Sequence, residues 1–279
     1  MAEDAIYNSH LDVFLLWAAR ETGLLSEVLD GPVTPEEVAA ATDVTEQAAF
    51  VSLATLAEMG YVDQSGDAYE ATARLDGFRP ETEVLDRGIL PHRLDSLELY
   101  MDLPDLMESG EPPEHSESGL ENYMAAMATV DETTVRSIVT TAEHAHPQPE
   151  RVLDVGGGPG KFSEEFRRRG ADVTTFDLPP VVDLLESRHA QAGLDVVAGD
   201  ATDSLPEGFD LVFSARMISS FTPEGLASYF ENAFDALDPG GTFVCNERVW
   251  DRSEIATRFA MHMLTVAPDG HIYTEAEYH

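Results

Sequence analysis

The chain reads as an α/β protein, a parallel doubly wound sheet preceded by a smaller helical unit, and three observations predict it. Five short apolar runs in the second half alternate with helix-compatible stretches: Val152 to Val155, Asp172 to Phe176, Leu194 to Ala198, Phe209 to Ser214 and Thr242 to Val249. Strands spaced in this way are joined by crossover helices and pair in parallel. The first run breaks into Gly156, Gly157, Gly158 and Gly160 and then into a helical pattern from Lys161, so a buried strand turns sharply into a helix. The first part of the chain carries helix signals and a single hairpin signal instead.

Leu11 to Arg20 is helical, with an apolar stripe of Leu11, Phe14, Leu15 and Ala18. Pro35 to Ala41 follows with Thr34 as N-cap, Pro35 at the first helical position and Glu37 placed to close a capping box. Thr45 to Met59 is a third helix, and Tyr61 to Ala71 folds back around Ser65-Gly66 as a hairpin. Three helices and a wing make a winged helix, which raises DNA as a partner. No Lys or Arg lies between Glu21 and Ala73, so the would-be reading helix has nothing to neutralise phosphates, and nucleic acid is excluded.

Arg93 to Leu106 and Leu120 to Thr141 read as helices flanking an acidic loop, Glu108 to Gly119, expected to be mobile. His144, His146, Pro147 and Pro149 read as a linker; two His in a Pro-rich loop without a further ligand at suitable spacing give no metal site. After the fourth strand comes a helix, Pro223 to Leu237, and a turn, Asp238 to Gly241. The expected domains are residues 1–90, a connector and pocket lid over 91–149, and the sheet domain over 150–279.

The glycine turn limits the ligand. A phosphate-cradling loop needs Gly where Val155 stands and a hydroxyl where Phe162 stands. The dinucleotide fingerprint wants a Gly at Lys161, which weakens that reading and leaves it open. S-adenosylmethionine, whose methionine end and ribose lie over a Gly-x-Gly-x-Gly turn preceded by an acid, here Asp154, fits Leu153-Asp-Val-Gly-Gly-Gly-Pro-Gly160 closely. Interior glycines cost about 0.5–1 kcal/mol each, so four argue for a ligand. Asp177 ends the second strand about 20 residues beyond the turn, where an acid caps ribose hydroxyls in this architecture. Asp200, after the third strand, either accepts from an adenine amino group or caps the next turn. All these positions lie at the carboxyl ends of strands, where such sheets bind ligands.

Phe176-Asp-Leu-Pro-Pro-Val-Val182, Gly199-Asp200 with Ser204-Leu-Pro206, Leu237-Asp-Pro-Gly-Gly241 and Glu247-Arg-Val249 resemble, in order and spacing, the successive blocks of class I small-molecule O-methyltransferases of the caffeic acid, hydroxyindole and polyketide type. The resemblance runs from about residue 10 to the end. It implies a Rossmann-like sheet that binds S-adenosylmethionine through Asp154, Gly156, Gly157, Gly158, Asp177, Leu178, Asp200, Ala201 and Ser214. It also implies a winged-helix unit that dimerises and lids the partner's site, and an acceptor pocket lined by Tyr123 and Met127, whose other reading is plain core. The expected activity is methyl transfer to an oxygen of a small molecule. The competing readings are a cofactor-binding protein without transfer and an NAD(P)-type oxidoreductase.

The family's catalytic base, a His in a His-Asp-Trp block, aligns with Ser219, and the neighbouring Asp with Ser220. Glu247 fits one His-supporting acid, while the other aligns with Ile272. A hydroxyl takes no proton at neutral pH without its own base. Three routes remain open: His262 as a substitute base, an acceptor that is already nucleophilic, or cofactor binding for another purpose. In the family a further helix and hairpin follow the segment Ala267 to His279, so the sequence reads as C-terminally short.

The charge is extreme, with 53 acids against 16 bases and a net charge of −37. Self-repulsion of that size is tolerated when screening is short, about 3 Å at 1 M salt, and the acids run through both halves, so the composition reads as halophilic. With Cys245 the only cysteine, no disulfide forms within a chain. No apolar run approaches a membrane span, and no signal pattern opens the chain; the expected location is cytoplasmic.

Overall fold

A computed structural model describes residues 11–111, 118–267 and 269–278. The chain divides into two compact units, Met1–Met101 and Asp102–His279.

The first unit comprises α1 (Leu11–Glu21), α2 (Leu24–Asp30), α3 (Pro35–Ala41), α4 (Glu46–Glu58), the hairpin β1 (Val62–Ser65) and β2 (Ala68–Ala71), and α5 (Leu90–Met101). The capping box forms as the sequence predicts: the Thr34 hydroxyl accepts from the Glu37 N–H, and a Glu37 oxygen accepts from the Thr34 N–H at 2.8 Å. The hairpin pairs Val62 with Ala71 and Ser65 with Ala68. Leu16, Leu24, Leu53, Leu56, Tyr61, Tyr69, Leu75 and Leu94 form the core. In α1 the stripe is split. Leu16 and Ala19 are buried, while Leu11 and Phe14 stand 44% and 46% exposed on another face. Helix α2 is absent from the sequence reading because no side chain caps it; it starts instead from Gly23 at φ +80°.

The second unit begins with α6 (Leu103–Ser109), α7 (Gly119–Ala128) and α8 (Glu132–Ala145). Both long helices predicted here are broken. One ends at Met101 and restarts with Pro104 in its first turn, since Pro cannot continue a helix but suits its start. The other restarts at Asp131, whose carboxylate caps α8 by accepting from the Thr134 N–H at 2.9 Å. Of the acidic stretch expected as a loop, residues 112–117 lie outside the described residues. His144 lies in the last turn of α8, and His146 Nδ1 lies 3.1 Å from the Thr242 hydroxyl.

The sheet follows: β3 (Arg151–Val155), α9 (Lys161–Arg168), β4 (Asp172–Asp177), α10 (Pro179–Ala192), β5 (Asp195–Ala198), β6 (Phe209–Ala215), α11 (Pro223–Ala236), β7 (Leu237–Asn246) and α12 (Ala256–Val266). All pairings are parallel, in the order β5-β4-β3-β6-β7. The chain runs outward from β3 to β5 and then returns to the other side of β3, which opens a crevice at the carboxyl ends of β3, β4 and β6. Apolar layers cover both faces, with Leu153, Val155, Val212 and Tyr229 in one cluster and Val152, Phe166, Leu211 and Phe213 in the other. The expected turn Asp238–Gly241 lies inside β7, where the register jumps from Phe209↔Leu237 to Leu211↔Thr242. Among the described residues no helix is long and apolar enough to cross a membrane.

Candidate functional site

The crevice holds a cavity of about 460 Å³. Its floor is the glycine turn. The Gly156 N–H donates to the Phe176 carbonyl at 2.8 Å, which ties the turn to the end of β4. Gly157 packs so closely that a Cβ there would lie 2.4 Å from Thr175 Cγ2, and Gly158 sits at φ +48°, so side chains are excluded on steric and conformational grounds alike.

Asp177 closes one side. Its Oδ2 accepts the Gly158 N–H and its Oδ1 the Leu178 N–H, each at 2.8 Å. Burial raises its pKa, and those two bonds oppose the rise. Each oxygen keeps a lone pair for a ligand hydroxyl. Beyond β5, Asp200 lines the cavity and also caps the following turn, accepting from the Thr202 N–H at 2.8 Å and hydroxyl at 2.7 Å through Oδ1. Gly156, Gly157, Gly158, Leu178 and Ala201 line the cavity as well. Leu120, Tyr123, Met124, Met127, Val130, Phe162, Met217 and Phe221 add an apolar, thioether-rich wall, and two of its thioethers lie against the turn: a Cβ on Gly156 would sit 2.7 Å from Met217 Sδ and one on Gly158 3.6 Å from Met124 Sδ.

Five of the sequence candidates sit off the lining. Asp154 lies beneath the turn, 1% exposed, and accepts from the Ser163 hydroxyl at 2.5 Å; that hydroxyl is 2.8 Å from Thr175 Oγ1. Ser214 is fully buried within β6, while Ala215, the last residue of the strand, and Arg216, which leaves it at φ +62°, line the cavity. Ser219 is buried with its hydroxyl 4.0 Å from Met263 Sδ, and Ser220 lines the cavity in its stead. His262 is half-buried on α12, its ring 6.0 Å from that of Phe259. Glu247 is also outside the lining. Its Oε1 accepts the Ile218 N–H at 2.8 Å, and its buried Oε2 has no hydrogen-bond partner among the described residues; burial raises its pKa. Ile272 packs with Met263 and Ala256, which explains an apolar residue there.

Sequence reasoning did not single out Lys161, Thr202 or Arg216 for the lining. Arg216 carries φ +62°, unusual for a side chain with a Cβ, at the exit from β6. A strand end beside a predicted ligand position is the signal that would have marked it.

Burial pushes the Asp154 carboxyl up to about 6, against the Ser163 hydrogen bond, with Asp177 adding to the rise. The folded state therefore binds this proton more tightly than the unfolded chain. Stability contributed at this site is present at about pH 4 and is lost as pH rises towards about 6, a change of roughly 3 kcal/mol. Asp154→Asn abolishes that slope. Urea unfolding at pH 4.5 and pH 7 is expected to show the variant gaining on the wild type by about 2 kcal/mol at the higher pH. A difference that does not change with pH would contradict the assignment.

The profile of the methyltransferase domain family matches residues 127–278, more than half of the chain. The chain belongs to this family. It is an S-adenosylmethionine-dependent methyltransferase, and the oxidoreductase reading is set aside. Among curated relatives, the 3-hydroxy-5-methyl-1-naphthoate 3-O-methyltransferase of Streptomyces sahachiroi is 28% identical over 94% of this chain and 82% of its own length. The demethylspheroidene O-methyltransferase of Cereibacter sphaeroides is 26% identical over 84% of this chain and 66% of its own. Two solved structures share the fold. An O-methyltransferase family protein from Burkholderia thailandensis has TM-score 0.74 and 19% identity, covering 99% of this methyltransferase and 90% of that chain. Human N-acetylserotonin methyltransferase in complex with its methyl donor has TM-score 0.69 and 20% identity, covering 100% and 88%.

Proposed function

We propose that this methyltransferase acts on an oxygen of a small-molecule acceptor. The observation that carries the reading is one cavity lined both by the glycine turn and Asp177 and by Tyr123, Met124, Met127, Met217 and Phe221. When bound, S-adenosylmethionine supplies an electrophilic methyl group on its sulfonium. Gly156, Gly157 and Gly158 would let the backbone approach it, Asp177 would offer its carboxylate to the cofactor's hydroxyls, and Leu178, Asp200 and Ala201 would complete the cofactor's side of the cavity. Asp154 acts from behind, holding α9 to the turn through Ser163. Tyr123 and Met127 position the acceptor, and the apolar wall excludes water from the reacting atoms. The full-length naphthoate relative methylates an oxygen by its name, which supports the same acceptor atom here.

The base is the weak point. Ser219 faces Met263, and Glu247 is engaged with the Ile218 N–H, so transfer rests on positioning and on the acceptor's own nucleophilicity. Those placements also favour the second reading, a binder of the cofactor without transfer. Calorimetric titration in molar salt with S-adenosylhomocysteine and NAD, then labelled-methyl transfer to a panel of phenols and amines, separates the cases. Tight homocysteine-ligand binding and labelled phenols are expected. NAD binding alone would overturn the reading, and binding without transfer to any acceptor would favour the binder.

The exposed Leu11 and Phe14 face of α1 supports a homodimer built on a winged-helix unit. The net charge of −37 supports a halophilic protein of the cytoplasm. Light scattering on the titration sample, with and without molar salt, reads the mass and its salt dependence.

A further inference from the structure

One buried titratable side chain outside the cavity lining is joined to the glycine turn. His189 lies on α10, 2% exposed, with Nε2 2.8 Å from the carbonyl oxygen of Gly158. A carbonyl oxygen only accepts, so Nε2 carries hydrogen and donates whatever the charge of the ring. Nδ1 is buried with no partner among the described residues; the neutral Nε2–H tautomer leaves it a bare acceptor rather than a stranded donor. An apolar side chain of similar size would fill this space without burying an unpaired nitrogen. The hydrogen bond is what the position gains from a histidine.

That bond completes a clamp. Gly158 donates its N–H to Asp177 Oδ2 at 2.8 Å and offers its carbonyl to His189, so the peptides on both sides of a residue at φ +48° are fixed, one from the end of β4 and one from α10. The ring lies beside the next bend of the turn, where a Cβ on Gly160 would meet His189 Cδ2 at 3.8 Å and Leu194 Cδ1 at 2.7 Å. Because residue 159 is a proline, no N–H follows Gly158 until Gly160, whose own N–H is committed to the Gly157 carbonyl at 2.9 Å. The orientation of the Gly158 carbonyl is therefore set from outside the turn.

We infer that His189 is a positioning residue for the methyl donor: its Nε2–H fixes the Gly158 peptide and keeps the N–H of that residue on Asp177. The inference rests on the reading that the turn and Asp177 hold the cofactor. Two variants and one spectrum test it. On the native protein, ¹⁵N-detected histidine spectra should show His189 as the Nε2–H tautomer. His189→Leu should raise the dissociation constant for S-adenosylhomocysteine about tenfold, since a buried carbonyl loses its donor. kcat at saturating cofactor and KM for the acceptor should stay within about threefold. His189→Gln, which keeps a donor, should recover most of the affinity.

An Nδ1–H tautomer would overturn the inference, as would a folded Leu variant with wild-type affinity or a Gln variant as weak as the Leu variant. The spectrum needs no variant, so the assignment stays exposed to refutation even if His189→Leu fails to fold. Failure of the wild-type protein to bind S-adenosylhomocysteine would instead refute the cofactor reading, and the tautomer would still decide the His189 to Gly158 bond.

Discussion

Asp177→Ala is expected to weaken S-adenosylhomocysteine binding by about two to three orders of magnitude. The carboxylate accepts the N–H groups of Gly158 and Leu178, each at 2.8 Å, at the edge of the cavity. Removing it strands two backbone donors at a cost of about 1–3 kcal/mol each, in addition to the ligand hydroxyls that lose their acceptor. Asp177→Asn keeps one acceptor oxygen and should fall between. The same carboxylate gives binding a pH dependence of fixed sign. Burial raises its folded pKa, and the protonated form has less acceptor capacity. Affinity should therefore drop as pH falls through a value raised above the ordinary one for an Asp, and the Asn variant should lack that drop. Calorimetry on the three proteins across mildly acidic pH checks both statements. An alanine variant that binds within a few-fold of wild type would remove Asp177 from the site.

The sheet and the cofactor end were legible in the sequence because each rests on a local signal. Apolar runs such as Val152 to Val155 can only be buried strands, and a turn holding Gly157 against Thr175 tolerates no Cβ. Asp177 follows from its place at a strand end about 20 residues beyond the glycine turn. What escaped has contacts distant in sequence. Ser163 is an unremarkable helix residue until the fold brings Asp154 and Thr175 to it, and those contacts turn Asp154 from a ligand candidate into a support beneath the turn. His189 lies in a helix hidden behind Pro179-Pro180, and its role depends on a carbonyl 31 residues away. Ser214 shows the same limit at the scale of one residue. A strand end is easily found, but which of its last side chains reach the cavity depends on how the chain leaves the strand, and the cavity receives Ala215 and then Arg216 at φ +62°.

The same limit governs the catalytic end, where sequence alignment alone would predict that Ser219→His restores a base. The fold predicts otherwise for the single variant. Ser219 is buried, its hydroxyl faces Met263 Sδ at 4.0 Å, and Gly270 packs on its backbone so tightly that a Cβ there would lie 2.4 Å from the Ser219 carbonyl oxygen. An imidazole has to displace Met263, which is itself 7% exposed and packed with Ala256 and Ile272. Overpacking of this kind costs about 1–3 kcal/mol, so Ser219→His alone should lose stability and gain no phenol methylation. Met263→Ala alone should cost about 2–5 kcal/mol through the space it leaves. Combined, the two changes compensate in volume, so their stability effects should fall well short of additive. The ring then has room beside Ser220, which lines the cavity, and an added general base is worth about 10²–10⁴ in rate. Labelled-methyl transfer should therefore rise at least about tenfold in the double variant alone, most steeply for phenols of high pKa, whose hydroxyls need a base. A gain already present in Ser219→His would show that Met263 yields without cost. Additive instability with no gain in the double variant would show that position 219 does not face the acceptor at all.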